Sequence, residues 1–287
     1  MTASAIASKP VRAERRQWPL DARGTLSLAF LVLMIVIGAS APVISPYSPT
    51  QQDLTNILVE ASWQNPLGTD DLGRDVLSRL IYGTGASLYA SFLAVSIAAL
   101  IGIPIGLAAG FFGGWLDEGI SRLIDALLSF PGIVLAIGVA GALGIGLTNA
   151  MIAVGIVFSP SLARLARSKT LVIRHELYVD AARCFGASPA RILWRHVLPN
   201  AVQPLIVQIT LLLAAALLAE ASLSFLGLGV QAPDPSWGAM LARGYTYMEV
   251  APEQMYPPGF AILVTALAFN TLGESLRIAF DPALRQR

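Results

Sequence analysis

Charged side chains are scarce in this chain of 287 residues, since only 13% are Asp, Glu, Lys or Arg while 55% are hydrophobic. A soluble domain carries about 25% charged residues, and the mean hydropathy of this chain is +0.66. The scarcity excludes a soluble globular protein and predicts a polytopic membrane protein. The formal net charge of +1 provides no overall attraction to nucleic acid or to an acidic partner.

Reactive residues are also few, and a nucleotide-binding motif is absent from the sequence. The chain has one cysteine, Cys184, so no internal disulfide can form, and its two histidines, His175 and His196, have no third ligand nearby. It contains no Gly-x4-Gly-Lys-Ser/Thr loop with which to wrap phosphates. We therefore expect no metal site, no ATP site and no enzyme activity in this chain, and any ATP-derived energy has to come from a partner.

Acidic residues cluster at positions 70, 71 and 75, but the glycine and terminal glutamate of a calcium-binding loop are misplaced around them. Helix capping on a solvated loop is the better interpretation. Helical spacing predicts three local ion pairs: Asp75 with Arg79, Asp125 with Arg122, and Glu274 with Arg277.

Long apolar runs predict an all-α membrane protein with six transmembrane helices. A helix that rises about 1.5 Å per residue needs roughly 20 apolar residues to cross a bilayer. The candidate spans are 25–44, 86–112, 121–145, 149–167, 200–226 and 259–280. Pro131 interrupts the third span, and only a short turn at 144–148 separates it from the fourth.

The distribution of lysine and arginine predicts the orientation. With both termini in the cytoplasm, sixteen of the nineteen basic residues lie inside, and only Arg74, Arg79 and Arg243 lie outside. This topology divides the chain into a cytoplasmic tail at 1–24, a first span at 25–44, an extracytoplasmic segment at 45–85, and a core of five spans at 86–287. A cleaved signal peptide is the competing interpretation of the N-terminus, but the apolar run is long enough to span uncleaved.

Residues 178–200, YVDAARCFGASPARILWRHVLPN, form a polar helix-turn-helix between two apolar spans. Gly186 suits the left-handed position after a first short helix, Ser188 suits the N-cap of a second, and Pro189 suits its first turn. Such a surface is suited to binding another protein. DNA is not expected as the partner, because the two membrane spans leave the segment little freedom to enter a groove.

The same segment carries a family resemblance. Asp-Ala-Ala at 180–182, Gly186 and Leu198-Pro199 resemble the cytoplasmic coupling motif of permease subunits of binding-protein-dependent ABC importers, with Asp180 where glutamate is usual and His196 where isoleucine is common. Three further stretches resemble the second permease subunit of the dipeptide, oligopeptide and nickel branch: NPLGTDDLGRDVLSRLIYG at 65–83, EASLSFLGLGVQAPDPSWGAML at 220–241 and AFNTLGESLR at 268–277.

The resemblance implies a multi-pass subunit of the bacterial plasma membrane that imports peptides, with nickel chelates and glutathione as alternative cargo. It implies three kinds of partner besides lipid: a homologous second permease, two cytoplasmic ATPases that hold ATP and Mg, and an extracytoplasmic solute-binding protein. A coupling segment at 172–199 would contact the ATPases. Its expected contact residues are Tyr178, Asp180, Ala181, Ala182, Arg183, Gly186, Ala187 and Arg191. A secondary transporter or channel is the alternative, but it would be expected to show paired polar groups or inverted repeats.

Three further features stand out. Gly102, Gly106 and Gly110 recur on one helical face and predict close packing, either within the chain or against the second permease. Glu220 lies within the fifth span, where it either accepts a structural hydrogen bond or takes part in gating or in lining the path. Residues 227–258 are expected to form a long extracytoplasmic loop, in which Trp237 either lines the path or, with Tyr245 and Tyr247, anchors the interface.

Overall fold

The computed structural model describes residues 20–280, and in this range the chain is built from helices. The basic residues of the predicted tail at 1–19, and residues 281–287, lie outside the described residues. The α-helices are α1 Ala22–Ala39, α2 Ala41–Ile44, α3 Val76–Phe112, α4 Gly114–Ser129, α5 Gly132–Leu143, α6 Leu147–Ile173, α7 Leu177–Cys184, α8 Pro189–Ile192, α9 Leu198–Phe225, α10 Trp237–Thr246 and α11 Tyr256–Phe280. A π-helical turn at Leu193–Val197 joins α8 to α9, and a 3-10 turn at Pro252–Met255 precedes α11.

Five of these helical stretches are long and apolar enough to cross a membrane, or six if the bent pair α4 and α5 counts as one crossing. The predicted third span at 121–145 is wrong as a continuous helix, because α4 and α5 meet at an angle of 97°. Phe130 has extended backbone (ψ 142°). A residue before proline avoids the helical region, so Pro131 ends α4 and starts α5 in a new direction.

The second span begins ten residues earlier than predicted, at Val76 rather than 86. The Asp75 carboxylate accepts a hydrogen bond from the Ser78 backbone N–H at 2.7 Å, which caps the helix at this point. The predicted pair of Asp75 with Arg79 is therefore wrong, and the Arg79 guanidinium lies 3.4 Å from Asp70 instead.

Helices α3 and α6 pack with their backbones in close contact. An ideal Cβ on Gly102 would lie 2.4 Å from the Ser159 carbonyl oxygen, and one on Gly106 would lie 2.2 Å from that of Ala163. A Cβ on Gly110 would likewise lie 2.7 Å from the Thr170 Cβ. All three glycines thus face another helix of the same chain, and they permit an approach that any side chain would prevent.

The two ends of the bundle have different contents. We call the end that carries residues 45–75 and α10 the loop end, and the end that carries α7 and α8 the coupling end. At the coupling end, Asp21 caps α1 by accepting from Gly24 N–H, and it also accepts from the Ser275 hydroxyl of α11 at 2.6 Å. These bonds attach α1 to α11.

Ion pairs at the coupling end differ in part from the predicted set. Glu274 and Arg277 pair at 3.8 Å as expected. The predicted pair of Asp125 with Arg122 is wrong, because Arg122 pairs with Glu118 one turn earlier and Asp125 with Arg164 of α6. A second cross-helix pair joins Asp117 to Arg167, so α4 is attached to α6 by two ion pairs.

We expect Gly106→Ala to destabilise the chain, because the added Cβ overlaps the Ala163 carbonyl and forces α3 away from α6. Overpacking of this kind costs about 1–3 kcal/mol. The measurement is the midpoint of thermal unfolding in detergent. Gly138→Ala on α5 is the matched control, since a Cβ there meets nothing within 4 Å. Equal midpoints for the two variants would contradict the described packing.

Candidate functional site

The first candidate site is the helix-turn-helix at the coupling end. Helix α7 ends in a pair of characteristic hydrogen bonds, from Gly186 N–H to the Arg183 carbonyl at 2.9 Å and from Ala187 N–H to the Ala182 carbonyl at 3.0 Å. Gly186 has φ +77°, which confirms the left-handed conformation expected for it. The two bonds form a Schellman motif, which satisfies the last carbonyls of the helix and turns the chain sharply.

The second half of this segment begins as the sequence predicts and then departs from regular α-helix. Ser188 accepts from Arg191 N–H at 3.4 Å, and Pro189 occupies the first turn of α8. The following turn widens, because Leu198 N–H bonds to the Leu193 carbonyl five residues earlier. Pro199 accounts for the widening, since its ring clashes with the carbonyl four residues before it and it has no N–H to donate.

Buried apolar side chains hold this segment against the bundle. Val179 and Val197 are fully buried, and Ile192 is nearly so. Ala182 and Ala187 are half-buried against the same core. The Arg183 guanidinium also lies 5.7 Å from the ring centroid of Phe111 at the end of α3. The segment is therefore a supported platform and not a free loop.

The outward face of the platform combines apolar and charged groups. Large hydrophobic side chains project from it at Leu177, Phe185 and Trp194, of which Phe185 is 91% exposed. Asp180 and Arg183, which are also exposed, pair at 2.9 Å. The predicted contact residues Ala181 and Arg191 are also exposed. These three apolar residues are not among those predicted from the sequence, although large hydrophobics within a polar segment could have revealed them.

Tyr178 borders the same face, with its ring 6.4 Å from that of His196. Partial desolvation raises the pKa of its phenol above the ordinary value, and the negative charge of Glu176 adds to the shift. The phenol therefore stays neutral at physiological pH and can donate a hydrogen bond to a partner.

The second candidate site is Glu220, which is fully buried in α9. Three serine hydroxyls donate to its carboxylate: Ser224 at 2.8 Å, Ser236 at 2.8 Å and Ser87 at 3.2 Å. Ser236 is the N-cap of α10, and Ser87 belongs to α3. One carboxylate therefore joins α3, α9 and α10.

Trp237 belongs to the same network. Its backbone N–H donates to the Ser87 hydroxyl at 3.1 Å, and its indole N–H donates to the Leu80 carbonyl at 3.1 Å. The residue is 1% exposed, which is not the setting of an interfacial anchor. The prediction of one long loop over 227–258 is wrong in this part, because Ser236 caps a ten-residue helix here.

A third cluster at the loop end joins the two extracytoplasmic segments expected from the sequence. The three arginines predicted to lie on the extracytoplasmic side each pair with Asp70 or Asp71. In addition, Gln254 donates to the Thr69 carbonyl at 2.7 Å. Asp70 is thus paired with arginine, and Asp75 caps helix α3. Ion pairing and capping account for the acidic cluster that resembles a calcium loop, but the expected solvated loop is wrong, because Asp70 and Asp75 are buried.

Comparisons with known proteins identify the family to which this chain is similar. Residues 102–286 match the family described as binding-protein-dependent transport system inner membrane component. Residues 23–65 match the N-terminal TM domain of oligopeptide transport permease C. The dipeptide transport system permease protein of Alkalihalophilus pseudofirmus is 40% identical over 97% of this chain and 92% of its own length. The glutathione transport system permease protein of Escherichia coli is 44% identical over 89% of this chain and 85% of its own length.

Among solved structures, inward-facing conformations of the MetNI methionine ABC transporter have the same fold. The TM-score is 0.58 at 20% identity, over 71% of this chain and 97% of the solved chain. At that identity the likeness concerns the fold alone.

We expect the free energy of unfolding of Glu220→Gln to lie within about 1 kcal/mol of that of the native chain. The amide keeps the size of the side chain, an acceptor for Ser224 and Ser236, and a donor for the Ser87 oxygen. Glu220→Leu removes every acceptor, and leaves buried hydroxyls unsatisfied at about 1–3 kcal/mol. Thermal unfolding in detergent measures both. If the two variants unfolded alike, the hydrogen bonds described here would not be what holds α10.

Proposed function

This chain belongs to the family of binding-protein-dependent transport system inner membrane components, and from that membership we propose that it is the permease subunit of an ATP-driven importer of peptides. It is a multi-pass transport permease and not itself an enzyme. The observation that carries the proposal is the platform at the coupling end. It is buried on one side, apolar and charged on the other, and continuous with a membrane-spanning helix.

We propose that the platform docks a cytoplasmic ATPase. Exposed Leu177, Phe185 and Trp194 are side chains of the kind that carry binding energy when a partner covers them, and the Asp180–Arg183 pair is exposed as well. A complete importer needs two such ATPases, which bind ATP and Mg, a homologous second permease and a solute-binding protein. We infer that the loop end faces that binding protein, since the positive-inside rule places α7 and α8 in the cytoplasm.

The mechanism follows from the connection between the platform and the spans. Helix α8, the π-helical turn and α9 form one uninterrupted helical stretch, Pro189–Phe225. When the ATPases close on ATP, they bind one position of the platform better than another, and this difference shifts the spans between inward-open and outward-open states. At the other end of the stretch, Glu220 ties α9 to α3 and α10, so the shift has to carry these helices along or break the serine hydrogen bonds.

The proposed cargo is a short peptide or a peptide-like solute. The relatives described above are named for dipeptide and glutathione transport, both of which concern short peptides. Reconstitution of the full complex in lipid, with a screen for the loaded binding proteins that stimulate ATP hydrolysis, tests the class directly. Transport that proceeds without ATPase subunits would overturn the proposal in favour of a secondary transporter.

The orientation can be tested with the single cysteine. Cys184 lies exposed on the platform, so we expect a membrane-impermeant thiol reagent to miss it in intact cells and to label it in inverted vesicles. The readout is the fraction of labelled chain. Labelling in intact cells would reverse the topology and remove the ATPase assignment.

Gly186→Val tests the coupling. A Cβ at Gly186 meets nothing within 4 Å, so the substitution acts only through the left-handed backbone, where a side chain costs about 1 kcal/mol or more. We expect the spans to insert normally, whereas ATPase co-purification and transport fall severalfold.

Gly186→Asn is the matched variant, because asparagine tolerates left-handed backbone. We expect it to retain ATPase binding and transport close to the native level. Wild-type coupling in the valine variant would contradict the role of the platform. Equal loss in both variants would show that side-chain bulk, and not backbone strain, is responsible.

A further inference from the structure

Three arginines at the loop end share two aspartates. Arg74 lies 2.7 Å from Asp70, Arg79 lies 3.4 Å from the same carboxylate, and Arg243 lies 3.2 Å from Asp71. The side chains of Arg74 and Arg79 are buried, while that of Arg243 is 38% exposed. These five groups therefore carry one positive charge in excess.

One of the buried guanidinium nitrogens lacks an acceptor. Arg74 Nη2 has no hydrogen-bond partner among residues 20–280, and the Asp71 carboxylate lies 3.9 Å from it. Arg74 as a whole is 1% exposed. This nitrogen has almost no surface exposed to solvent, so it contributes positive charge beneath the surface and is not a donor that a ligand can reach.

A ligand has room to bind next to this buried charge. A cavity of about 350 Å³ lies beside the cluster, lined by Arg74, Arg79, Arg243, Asp71, Asp234 and Tyr247. This volume is within the range of small-molecule sites, about 300–1,000 Å³. The carboxylate of Asp234 takes part in none of the hydrogen bonds or ion pairs of the described residues, and its residue is exposed. The lining therefore combines arginine side chains with the carboxylate of Asp234, which is free of protein partners within residues 20–280.

A ligand that fits this lining carries both charges. Guanidinium groups bind carboxylates through paired N–H donors, often in a bidentate arrangement. An ammonium group is the complementary partner for Asp234, since it supplies only donors. A short peptide with free termini carries one carboxylate and one ammonium. We propose that this cavity binds zwitterionic short peptides at the loop end, with the carboxylate on Arg243, near the buried positive charge of Arg74, and the ammonium on Asp234.

The proposal rests on the peptide cargo proposed above, and adds to it a site within the permease itself. The excess positive charge directs the carboxylate inward, whereas the exposed Asp234 holds the ammonium at the rim. Such a site would hold a solute released at the loop end before it enters the membrane-spanning part.

The test is equilibrium binding of labelled Ala-Ala to the full permease complex in lipid nanodiscs, without the solute-binding protein. We expect saturable binding that weakens by about tenfold or more for the C-terminal amide and severalfold for the N-acetyl peptide, because each modification removes one charge-assisted contact. Arg243→Gln should weaken binding of Ala-Ala about tenfold and abolish the preference for the free acid. Arg243→Lys should retain part of both.

Two variants make the test specific. Asp234→Asn should weaken Ala-Ala but leave the N-acetyl peptide unchanged, since only the ammonium contacts it. Arg277→Gln should bind all three peptides as the native chain does. Arg277 is exposed and lies at the coupling end, whereas the cavity lies at the loop end. A comparable loss in Arg277→Gln would indicate nonspecific charge effects and overturn the site.

The result separates this site from the general function. If the complex imports peptides but neither the amide nor Arg243→Gln alters binding, the site is wrong and the transport proposal stands. If the complex imports no peptide while acetate binds in an Arg243-dependent manner, the cavity is a carboxylate site of another solute and the peptide assignment is overturned. Absence of any saturable binding at millimolar Ala-Ala overturns the site.

Discussion

The close packing of α3 on α6 is the constraint on which the other features depend. Four glycines make it possible: Gly102, Gly106 and Gly110 on α3, and Gly155 on α6, whose Cβ would lie 2.7 Å from the Ala94 carbonyl. In a membrane the hydrophobic effect contributes little between helices, so close van der Waals contact has to provide the association. With 37 residues, α3 is long enough to reach both ends of the bundle.

Both candidate sites are attached to this pair of helices. At the loop end, Leu80 and Ser87 of α3 accept from Trp237, and Ser87 also donates to Glu220. At the coupling end, Arg174 donates to the Gly110 carbonyl at 2.9 Å, just before α7 begins. The platform and the Glu220 network are therefore connected through one helix pair. The coupling mechanism proposed above would therefore act through packed backbone and not through a flexible linker.

Local signals predicted the local structure well. Gly186, Ser188 and Pro189 have the conformations that their residue types favour, because capping depends on a few neighbouring atoms. The spans at α6, α9 and α11 likewise begin and end within a few residues of their apolar runs, except that α6 extends further towards the coupling end. The spacing of the three glycines predicted one close-packing face, but their partner could not be predicted, because spacing does not identify the helix opposite.

The wrong expectations share a physical cause, because each depends on the three-dimensional arrangement of the chain and not on neighbouring residues alone. The break at Pro131 lies inside an apolar run, so hydropathy cannot distinguish a continuous span from two short helices at 97°. Trp237 sits among prolines in a polar stretch, and only the tertiary structure shows that it is buried against α3. The pair of Asp75 with Arg79 fits helical spacing, yet each group finds a stronger partner, because Asp75 is at the cap and Asp70 approaches Arg79 from a neighbouring loop.

The loop end and the coupling end of the bundle differ in whether their polar groups are buried or exposed. The difference matches the roles proposed for them. At the loop end, buried arginines, aspartates and Glu220 are held by hydrogen bonds whose loss would leave charge or donors unsatisfied, so the arrangement is rigid and specific. At the coupling end, the ion pair of Asp180 with Arg183 is exposed and contributes little by itself. Phe185 and Trp194 of the same platform remain uncovered. A surface that has to bind a moving partner through every cycle needs the second kind of construction, and a structure that positions a solute needs the first.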